Sequence, residues 1–509
     1  MSFVPHNQEE TDARELARSL LSALGLSEDH SSFQWAERAY RAVLNGQSCS
    51  MLGADESPAL DAVVGTFDQG ETPLVLRGSA PQALLYLRHM DELEAGLAKS
   101  VLQLAVQRDQ PWSLASAKDI AVADKLNDEQ ADALKRIAER SFMILTGGPG
   151  TGKTYTLNSL LKYAVKAGEL SPAQIRLVAP TGRAARRIAD GLAELRKQPD
   201  FTDLVEPQTI HSLLYEPEAF DGMQLLVVDE SSMVDLMLFN EVIAKLPAGC
   251  SLVLVGDPNQ LPSVEVGSVL ADLCEAPALL PNKVQLVRQV RSKDAPEIMR
   301  FAESVLGGQG RETVNLLTPT PEAVVELVLP SFTALREKAR AGDVDGSMAL
   351  VDEVRVLCSH VRGPLGAETL SRLIAEKLSI RVSPPGSGSL IMVTRNDRRG
   401  TGLSNGDVGV MVGDLVYFRG YAAGFDLNRL PEYTSAFATT IHKAQGSEYG
   451  HAVVVLGSSQ REGFLNRQLI YTGITRARKQ VTLVADRADF LAACAQEVPR
   501  ASGLKQRLI

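Results

Sequence analysis

Short, mostly apolar runs recur along the chain, and longer segments of helical periodicity separate them. The clearest runs have four or five residues and lie at 142–145, 175–179, 225–228, 251–255, 354–358 and 453–456. Runs of this kind are typical of parallel strands that are buried on both faces. After the first run, one helical face collects Leu157, Leu160, Leu161, Ala164 and Val165. The pattern therefore predicts an α/β protein built on parallel sheets.

Two parts of the chain follow a different pattern. Segments 10–24 and 33–44 have the spacing of amphipathic helices, and the run 82–106 after Pro81 is rich in Leu, Ala and Glu. Proline suits the start of a helix, so these segments predict a helical N-terminal domain over 1–115. Farther along, apolar and polar residues alternate with glycines at 405–418, which predicts a small β-rich insertion.

Size and composition narrow the class of protein. A chain of 509 residues exceeds one domain. None of its apolar runs approaches the roughly 20 residues of a membrane span, and the polar, acidic start at 1–11 does not resemble a secretory signal. We therefore expect a cytoplasmic protein with no membrane partner. The five cysteines form no CxxC pair, which disfavours a zinc or iron–sulfur site.

The formal net charge is −10, which argues against a generally basic, histone-like nucleic-acid binder. Phosphate contacts need only a local positive groove, so the charge does not exclude a nucleic-acid channel.

The strongest chemical signal lies directly after the first apolar run. The glycines, lysine and threonine there have the spacing of a P-loop. Glycines let backbone N–H groups converge on a phosphate, the lysine ammonium neutralises the β- and γ-phosphates, and the threonine hydroxyl is a hard ligand for Mg²⁺. A chance glycine-rich turn is the alternative, but a predicted strand before and a predicted helix after argue against it. The expected site for ATP comprises Gly147, Gly148, Pro149, Gly150, Thr151, Gly152, Lys153, Thr154 and Tyr155.

A carboxylate pair ends the third apolar run. Asp229 and Glu230 follow 225–228 in the Walker B arrangement, in which the aspartate holds Mg²⁺ and the glutamate deprotonates the attacking water. A structural acid pair is the alternative. Gln260 follows the fourth run, at the sheet edge where doubly wound folds bind ligands, and is suited to sensing the γ-phosphate. By itself, it also fits an ordinary polar loop.

Arginines and one glutamine complete the candidate chemistry. Thr181 and Arg183 follow the second run and suit a sugar–phosphate backbone, although Arg183, Arg186 and Arg187 equally fit a solvated helix face. Near the C-terminus, Arg476 and Arg478 could bring an arginine to the γ-phosphate from a second domain; two surface arginines are the alternative. Before the first run, the amide of Gln130 is suited to reading adenine.

Taken together, these blocks resemble superfamily 1 helicases and are most similar to the RecD family, the alpha subunit of exodeoxyribonuclease V. The resemblance covers about 120–490 and is carried by 147–154, 179–185, 209–211, 228–233, 256–267, 440–448 and 471–478. It implies two RecA-like motor domains over 116–285 and 286–509, with ATP between them and single-stranded DNA running across both. It also implies 5′-to-3′ movement, a small SH3-like insertion near 403–434 and a short hairpin pin at 190–207.

The resemblance also assigns roles to individual residues. Gln130 resembles the adenine reader, Gln260 the γ-phosphate sensor and Glu448 the ribose contact, while Arg291 and Arg476 resemble the arginine pair of the second motor domain. The positions similar to DNA-facing residues are Thr181, Arg183, His211, Thr440 and His442. The family usually has an aromatic residue before the first arginine, and Val290 stands there instead. This departure leaves Arg288 and Gln289 as alternatives to Arg291.

The stretch before the motor decides between family branches. Free-standing relatives usually carry a longer N-terminal part with DNA-binding hairpins, for which 1–110 leaves little room. We therefore expect a motor subunit that docks onto RecC-like and RecB-like partners and acts on duplex DNA ends in double-strand break repair. The alternatives are a stand-alone RecD-like helicase, a DNA-stimulated ATPase that regulates a complex, and an RNA helicase. A nuclease is not expected, because no carboxylate cluster remains once Asp229 and Glu230 are assigned.

Overall fold

Two parallel sheets, each flanked by helices, form the centre of the molecule. A small mixed sheet lies in the N-terminal domain, and a small antiparallel sheet is inserted into the second half. The computed structural model describes residues 6–67, 71–79, 82–108, 111–167, 170–289, 296–310, 316–397, 400–458, 464–498 and 500–509. Within this described part of the chain, no helix is long and apolar enough to cross a bilayer.

The N-terminal domain combines three helices with a four-stranded sheet of order β1-β4-β3-β2. Its elements are α1 (His6–Ala23), α2 (Phe33–Leu44), β1 (Cys49–Met51), β2 (Val64–Thr66), β3 (Leu74–Arg77), β4 (Leu84–Leu87) and α3 (Arg88–Leu104). The two early helices lie where the periodicity predicts them, but the sequence analysis missed the sheet.

The segment 82–106 differs most from its predicted form. Leu84, Leu85 and Tyr86 are buried in β4, which pairs in antiparallel fashion with both β1 and β3, so the helix begins only at Arg88. Pro81 lies outside the described residues. Leu97, Ala98 and Val101 of α3 pack into the core beneath the first parallel sheet, which joins the N-terminal domain to the motor.

The first parallel sheet has the strand order β10-β5-β9-β8-β6-β7, and every pair in it is parallel. Its strands are β5 (Phe142–Gly147), β6 (Ile175–Ala179), β7 (Gln208–Thr209), β8 (Leu225–Val228), β9 (Ser251–Gly256) and β10 (Lys283–Leu286). The helices around it are α4 (Leu114–Ala123), α5 (Asp128–Glu139), α6 (Lys153–Ala167), α7 (Gly182–Arg196), α8 (Ile210–Leu214), α9 (Leu236–Lys245) and α10 (Val269–Glu275).

The pin predicted at 190–207 is not a hairpin. This segment contains the end of α7 and a single 3-10 turn at Pro199–Phe201. Leu192, Leu195, Phe201 and Leu204 are buried in the core of the first parallel sheet. The segment therefore folds back onto the domain instead of projecting from it.

The second parallel sheet has the order β11-β20-β19-β12-β18, and its helices lie before, between and after these strands. Its strands are β11 (Leu316–Leu317), β12 (Val354–Cys358), β18 (Ala438–Thr440), β19 (Tyr449–Val455) and β20 (Ala477–Val484). The helices are α11 (Pro296–Leu306), α12 (Pro321–Arg340), α13 (Val344–Leu350), α14 (Ala367–Lys377), α15 (Arg467–Ile474) and α16 (Arg487–Ala495). The last helix, α17 (Leu504–Arg507), instead packs with α3 and α10 in the core of the first half.

An antiparallel sheet of order β16-β15-β14-β13-β17 is inserted between α14 and β18. Its strands are β13 (Leu390–Val393), β14 (Val408–Val412), β15 (Leu415–Phe418), β16 (Phe425–Asp426) and β17 (Tyr433–Ser435). The hairpin of β14 and β15 forms the alternating stretch that the sequence pattern identified.

Candidate nucleotide and DNA site

The P-loop connects buried strand β5 to helix α6. Gly150 and Gly152 have φ angles of +76° and +89°, which favour glycine. A Cβ atom at Gly147 would lie 2.5 Å from Thr151 Oγ1 and 2.9 Å from the Leu286 carbonyl oxygen, so close packing also requires glycine there. Lys153 Nζ donates to the carbonyls of Gly147 at 2.6 Å and Gly148 at 3.1 Å. The ammonium therefore lies at the mouth of the loop, where it can reach a phosphate.

The carboxylates of Asp229 and Glu230 follow strand β8, which β9 separates from the P-loop strand β5. Burial, together with the negative charge of Glu230, raises the pKa of Asp229 to about 6, although Arg187 and Lys153 act in the opposite direction. The Glu230 N–H donates to Asp229 Oδ1 at 2.8 Å, and Glu230 has a φ of +50°. A residue other than glycine held in this region marks a constrained site.

The loop after β9 contacts helix α15 of the second motor half. Asp257 is buried and accepts hydrogen bonds from the Tyr471 hydroxyl at 2.9 Å and from Gln260 Nε2 at 3.2 Å. Burial and the charge of Asp257 raise the pKa of Tyr471, so its hydroxyl stays protonated at neutral pH. Leu261 N donates to Thr472 Oγ1 at 2.8 Å. These bonds hold the two halves together beside the P-loop.

Arg476 occupies the centre of this contact and is only 2% exposed. Its Nη2 donates to Gln260 Oε1 at 2.9 Å, while Nε donates to the Thr472 carbonyl at 3.0 Å. Two residues predicted to sense the same phosphate, 216 positions apart in sequence, are thus directly hydrogen-bonded. Arg476 is not one of a pair of surface arginines.

Three arginines of α7 also reach across to the second half. Arg183 donates to Ser447 Oγ, Arg186 forms a bidentate pair with Asp407 at 2.9 and 3.1 Å, and Arg187 donates to Glu448 at 2.5 Å. The guanidinium of Arg186 also lies 5.4 Å from the centre of the Tyr421 ring. The face is therefore an interface within the molecule and not a solvated surface.

Comparison with known proteins places this arrangement in a family. A family model described as AAA domain matches residues 125–320, and one described as UvrD-like helicase C-terminal domain matches 435–484. The RecBCD enzyme subunit RecD of Mycolicibacterium smegmatis is 36% identical over 423 residues, which cover 75% of this chain and 75% of that protein. The chain belongs to the RecD family of ATP-dependent DNA helicases.

A second branch of the RecD family is also similar to this chain. The ATP-dependent RecD2 DNA helicase of Deinococcus radiodurans is 28% identical over 522 residues, which cover 98% of this chain and 69% of that protein. Among solved structures, a Pif1 helicase from Bacteroides in complex with ADP-AlF3 and single-stranded DNA is 19% identical and has a TM-score of 0.43. That match covers 72% of this chain and 94% of the Pif1 chain.

The adenine and ribose positions of this RecD-family chain make hydrogen bonds or ion pairs within the protein. Gln130 Oε1 accepts from the Asn127 N–H at 3.1 Å, and Asn127 Oδ1 accepts from the Gln130 N–H at 2.9 Å, which together form a capping box at the start of α5. Glu448 pairs with Arg187. Tyr155 donates to the Asp124 carbonyl and is 49% exposed. Nucleotide contacts of these three residues remain predictions.

The predicted Arg291 lies outside the described residues, as does Val290. Of the two alternatives, Gln289 lies beside the P-loop. Its Nε2 is 3.9 Å from the position of a Cβ on Gly148, and its buried Oε1 has no hydrogen-bond partner among the described residues. The backbone N–H of Arg288 donates to Glu129 at 3.1 Å. Gln289 thus lies close to the P-loop, and its contact with a nucleotide stays a prediction.

The predicted DNA-facing residues lie at the carboxyl ends of strands in both parallel sheets. Thr181 follows β6 and caps α7 by accepting from Ala184 N at 3.2 Å, and His211 is exposed just after β7. Thr440 ends β18 and accepts from Lys443 N at 3.3 Å. Burial, and to a smaller extent the charge of Arg500, lowers the pKa of His442 to about 4, so this imidazole is neutral at pH 7.

The sequence analysis missed several contacts of this site. Asp257 follows a buried strand just as Asp229 does, and this shared position could have identified Asp257 as a candidate site residue. Tyr471 lies within the stretch 471–478, but the sequence around it does not indicate that its hydroxyl bonds to Asp257. Asp407 belongs to the inserted sheet, and only the fold brings it to Arg186.

Proposed function

We propose that this RecD-family helicase moves 5′ to 3′ along single-stranded DNA, driven by ATP bound between its two motor halves. The hydrogen bond between Gln260 and Arg476 carries this proposal, because it joins the predicted γ-phosphate sensor of one half to an arginine of the other. A triphosphate on the P-loop would be bound from both sides, and its hydrolysis would loosen the two halves. Repeated closure and opening would advance the strand.

Each residue of the proposed hydrolytic site would have its own role in ATP hydrolysis. Lys153 would bind the β- and γ-phosphates, Glu230 would take the proton of the attacking water, and Arg476 would stabilise the charge that develops in the transition state. The raised pKa of Asp229 is the expected mark of a buried carboxylate that a cation would stabilise, so Asp229 and Thr154 fit Mg²⁺. When bound there, Mg²⁺ would polarise the phosphate oxygens.

The DNA strand would run over the carboxyl ends of both parallel sheets. Thr181, Arg183 and His211 would hold it on the first half, and Thr440 and His442 on the second. Hydroxyl, imidazole and backbone groups of this kind grip phosphates and sugars and do not read sequence. The helicase would therefore act on DNA of any sequence.

In the cell, we propose that the chain is the motor subunit of a RecBCD-type exodeoxyribonuclease V complex. RecB-like and RecC-like subunits would be its partners in the cytoplasm, and duplex ends formed by double-strand breaks would be its substrate. The names of the RecD relatives support this assignment. Co-purification of the chain from its native source, followed by identification of bound proteins, tests it.

A stand-alone RecD-like helicase is the second candidate, and one observation favours it. The match to the RecD2 helicase covers 98% of this chain, whereas the match to the mycobacterial RecD subunit covers 75%. If the purified chain unwinds DNA processively without partners, the stand-alone function is supported and the subunit assignment is overturned.

Strand displacement tests the direction of movement. Duplexes with a 5′ tail, a 3′ tail or blunt ends are incubated with ATP and the chain, alone and with any co-purifying subunits. For the chain without partners, we expect displacement from the 5′-tailed duplex only, and Lys153→Gln should abolish it. Unwinding only from the 3′ tail would reverse the assigned direction, and ATPase stimulated by DNA without unwinding would favour a regulatory ATPase. Stronger stimulation by poly-U than by poly-dT would indicate an RNA helicase.

A further inference from the structure

Arg187 lies between two carboxylates that come from different halves of the motor. Its Nη2 is 2.5 Å from Glu448 Oε1, and its Nη1 is 3.7 Å from Glu230 Oε1. The side chain of Arg187 is 39% exposed, whereas the two glutamates are 13% and 14% exposed. One guanidinium therefore links the predicted catalytic base to the second half through a contact that solvent screens only in part.

The position of Arg187 on α7 connects this contact to the predicted DNA-binding residues of the same helix. Thr181, a predicted strand contact, caps the start of this helix, and Arg183, another predicted contact, lies in its first turn. Arg187 follows one helical turn after Arg183, so a movement of α7 on binding a strand would carry the guanidinium with it. Phosphates of the strand would also compete with both glutamates for this partly exposed cation.

The contact also restrains Glu230 itself. A general base needs a free oxygen within hydrogen-bond reach of the water it activates. An oxygen that faces a guanidinium is a weaker proton acceptor, because the positive charge stabilises the carboxylate. The left-handed backbone of Glu230, with a φ of +50°, leaves its side chain few alternative directions.

We propose that Arg187 is a positioning residue that holds Glu230 away from its working position until a DNA strand occupies α7. This inference rests on the proposed role of Glu230 as the base. This arrangement makes ATP hydrolysis depend on DNA. Strand binding moves Arg187 toward a DNA phosphate, and Glu230 is then free to act as the base.

The test measures ATP turnover with and without poly-dT for Arg187→Gln. We expect the kcat without DNA to rise at least fivefold, with the DNA-stimulated kcat and the KM for ATP nearly unchanged, so that the stimulation ratio falls. Arg196→Gln is the matched control, because Arg196 lies on the same helix and pairs with Glu206 away from the cleft. Arg187→Lys should give a smaller rise, because its ammonium keeps a positive charge beside one glutamate but cannot bridge both. This variant tests the same point should the glutamine variant fold poorly.

A second substitution separates this inference from the assignment on which it rests. Glu230→Gln should abolish turnover in both the wild-type and the Arg187→Gln backgrounds. If Glu230→Gln is inactive but Arg187→Gln and Arg187→Lys leave the stimulation ratio unchanged, the positioning role is overturned and the proposed site stands. If Glu230→Gln hydrolyses ATP at the normal rate, the base is misassigned and the inference about Arg187 fails with it.

Discussion

Arg507→Met should destabilise the contact between the C-terminal helix and the N-terminal domain. Arg507 Nη2 lies 2.6 Å from Asp91, and its Nε lies 3.3 Å from Glu94. The arginine side chain is 13% exposed, and the two acidic side chains are 0% and 1% exposed. Methionine keeps most of the aliphatic part of the Arg507 side chain, so the substitution removes mainly the positive charge and its hydrogen bonds.

The remaining partners of the two acids set the size of this effect. Asp91 retains Arg77, while Glu94 retains neutral donors that include the Tyr86 hydroxyl at 2.9 Å and the Ser502 hydroxyl at 2.9 Å. Removing one partner of a buried ion pair costs about 3–5 kcal/mol. Because neither acid is left without a hydrogen bond, we expect the lower end, about 3 kcal/mol.

Hydrogen exchange of the α3 amides measures this loss directly, because it reports the free energy of opening for one region of a multidomain chain. A loss of about 3 kcal/mol accelerates their exchange by roughly a hundredfold. In Glu94→Gln/Arg507→Met the loss should be smaller than the sum of the single effects, since the buried charge is gone. Exchange accelerated less than about threefold by Arg507→Met, or strict additivity in the double variant, would refute the reasoning.

Three further predictions concern the P-loop, pH and the inserted sheet. Lys153→Gln should abolish ATP turnover without unfolding the chain, and normal turnover would remove the P-loop assignment. Burial raises the pKa of Asp272 to about 7, so the folded chain retains a proton that the unfolded chain loses above pH 3.8. The contribution of Asp272 to stability should therefore fall as the pH rises from about 4 to 7. Asp272→Asn should make the free energy of unfolding less dependent on pH in this range. An unchanged pH dependence would contradict the prediction. Arg186→Gln breaks the bidentate pair with Asp407, which should slow unwinding severalfold with little change in DNA-free ATP turnover; an unchanged unwinding rate would show that the pair is dispensable.

The two parallel sheets could be predicted because their strands have a local signature. β5, β8 and β9 are buried along their whole length, and such strands appear in sequence as continuous apolar runs. The N-terminal sheet has strands of three or four residues, such as β1 and β2, which are too short to show a period. In 82–106, the apolar residues fit both a strand and a helix. The first part of this segment forms strand β4 because it pairs with β1 and β3, and a local pattern cannot show that pairing.

The sequence could locate candidate residues one by one, but it could not predict the contacts between them. The spacing around Lys153, Asp229 and Gln260 reflects local chemistry, and each of them follows a buried strand by at most six residues. Tyr471, the partner of Asp257, and Arg476, the partner of Gln260, come from more than 200 residues away, so no local pattern encodes either pairing. The α7 arginines illustrate the same limit, because charge alone fits solvent, DNA or a second domain equally well.

The kinetics of Arg476→Gln test most directly the central claim that both halves bind one triphosphate. An arginine that stabilises the transferring phosphoryl group contributes about 10³–10⁵ in kcat. We predict that DNA-stimulated turnover falls at least a thousandfold, while the Kd for ATP changes only a few-fold because the P-loop is intact. Turnover within threefold of the wild-type rate would contradict the claim, since ATP would then be hydrolysed without the second half.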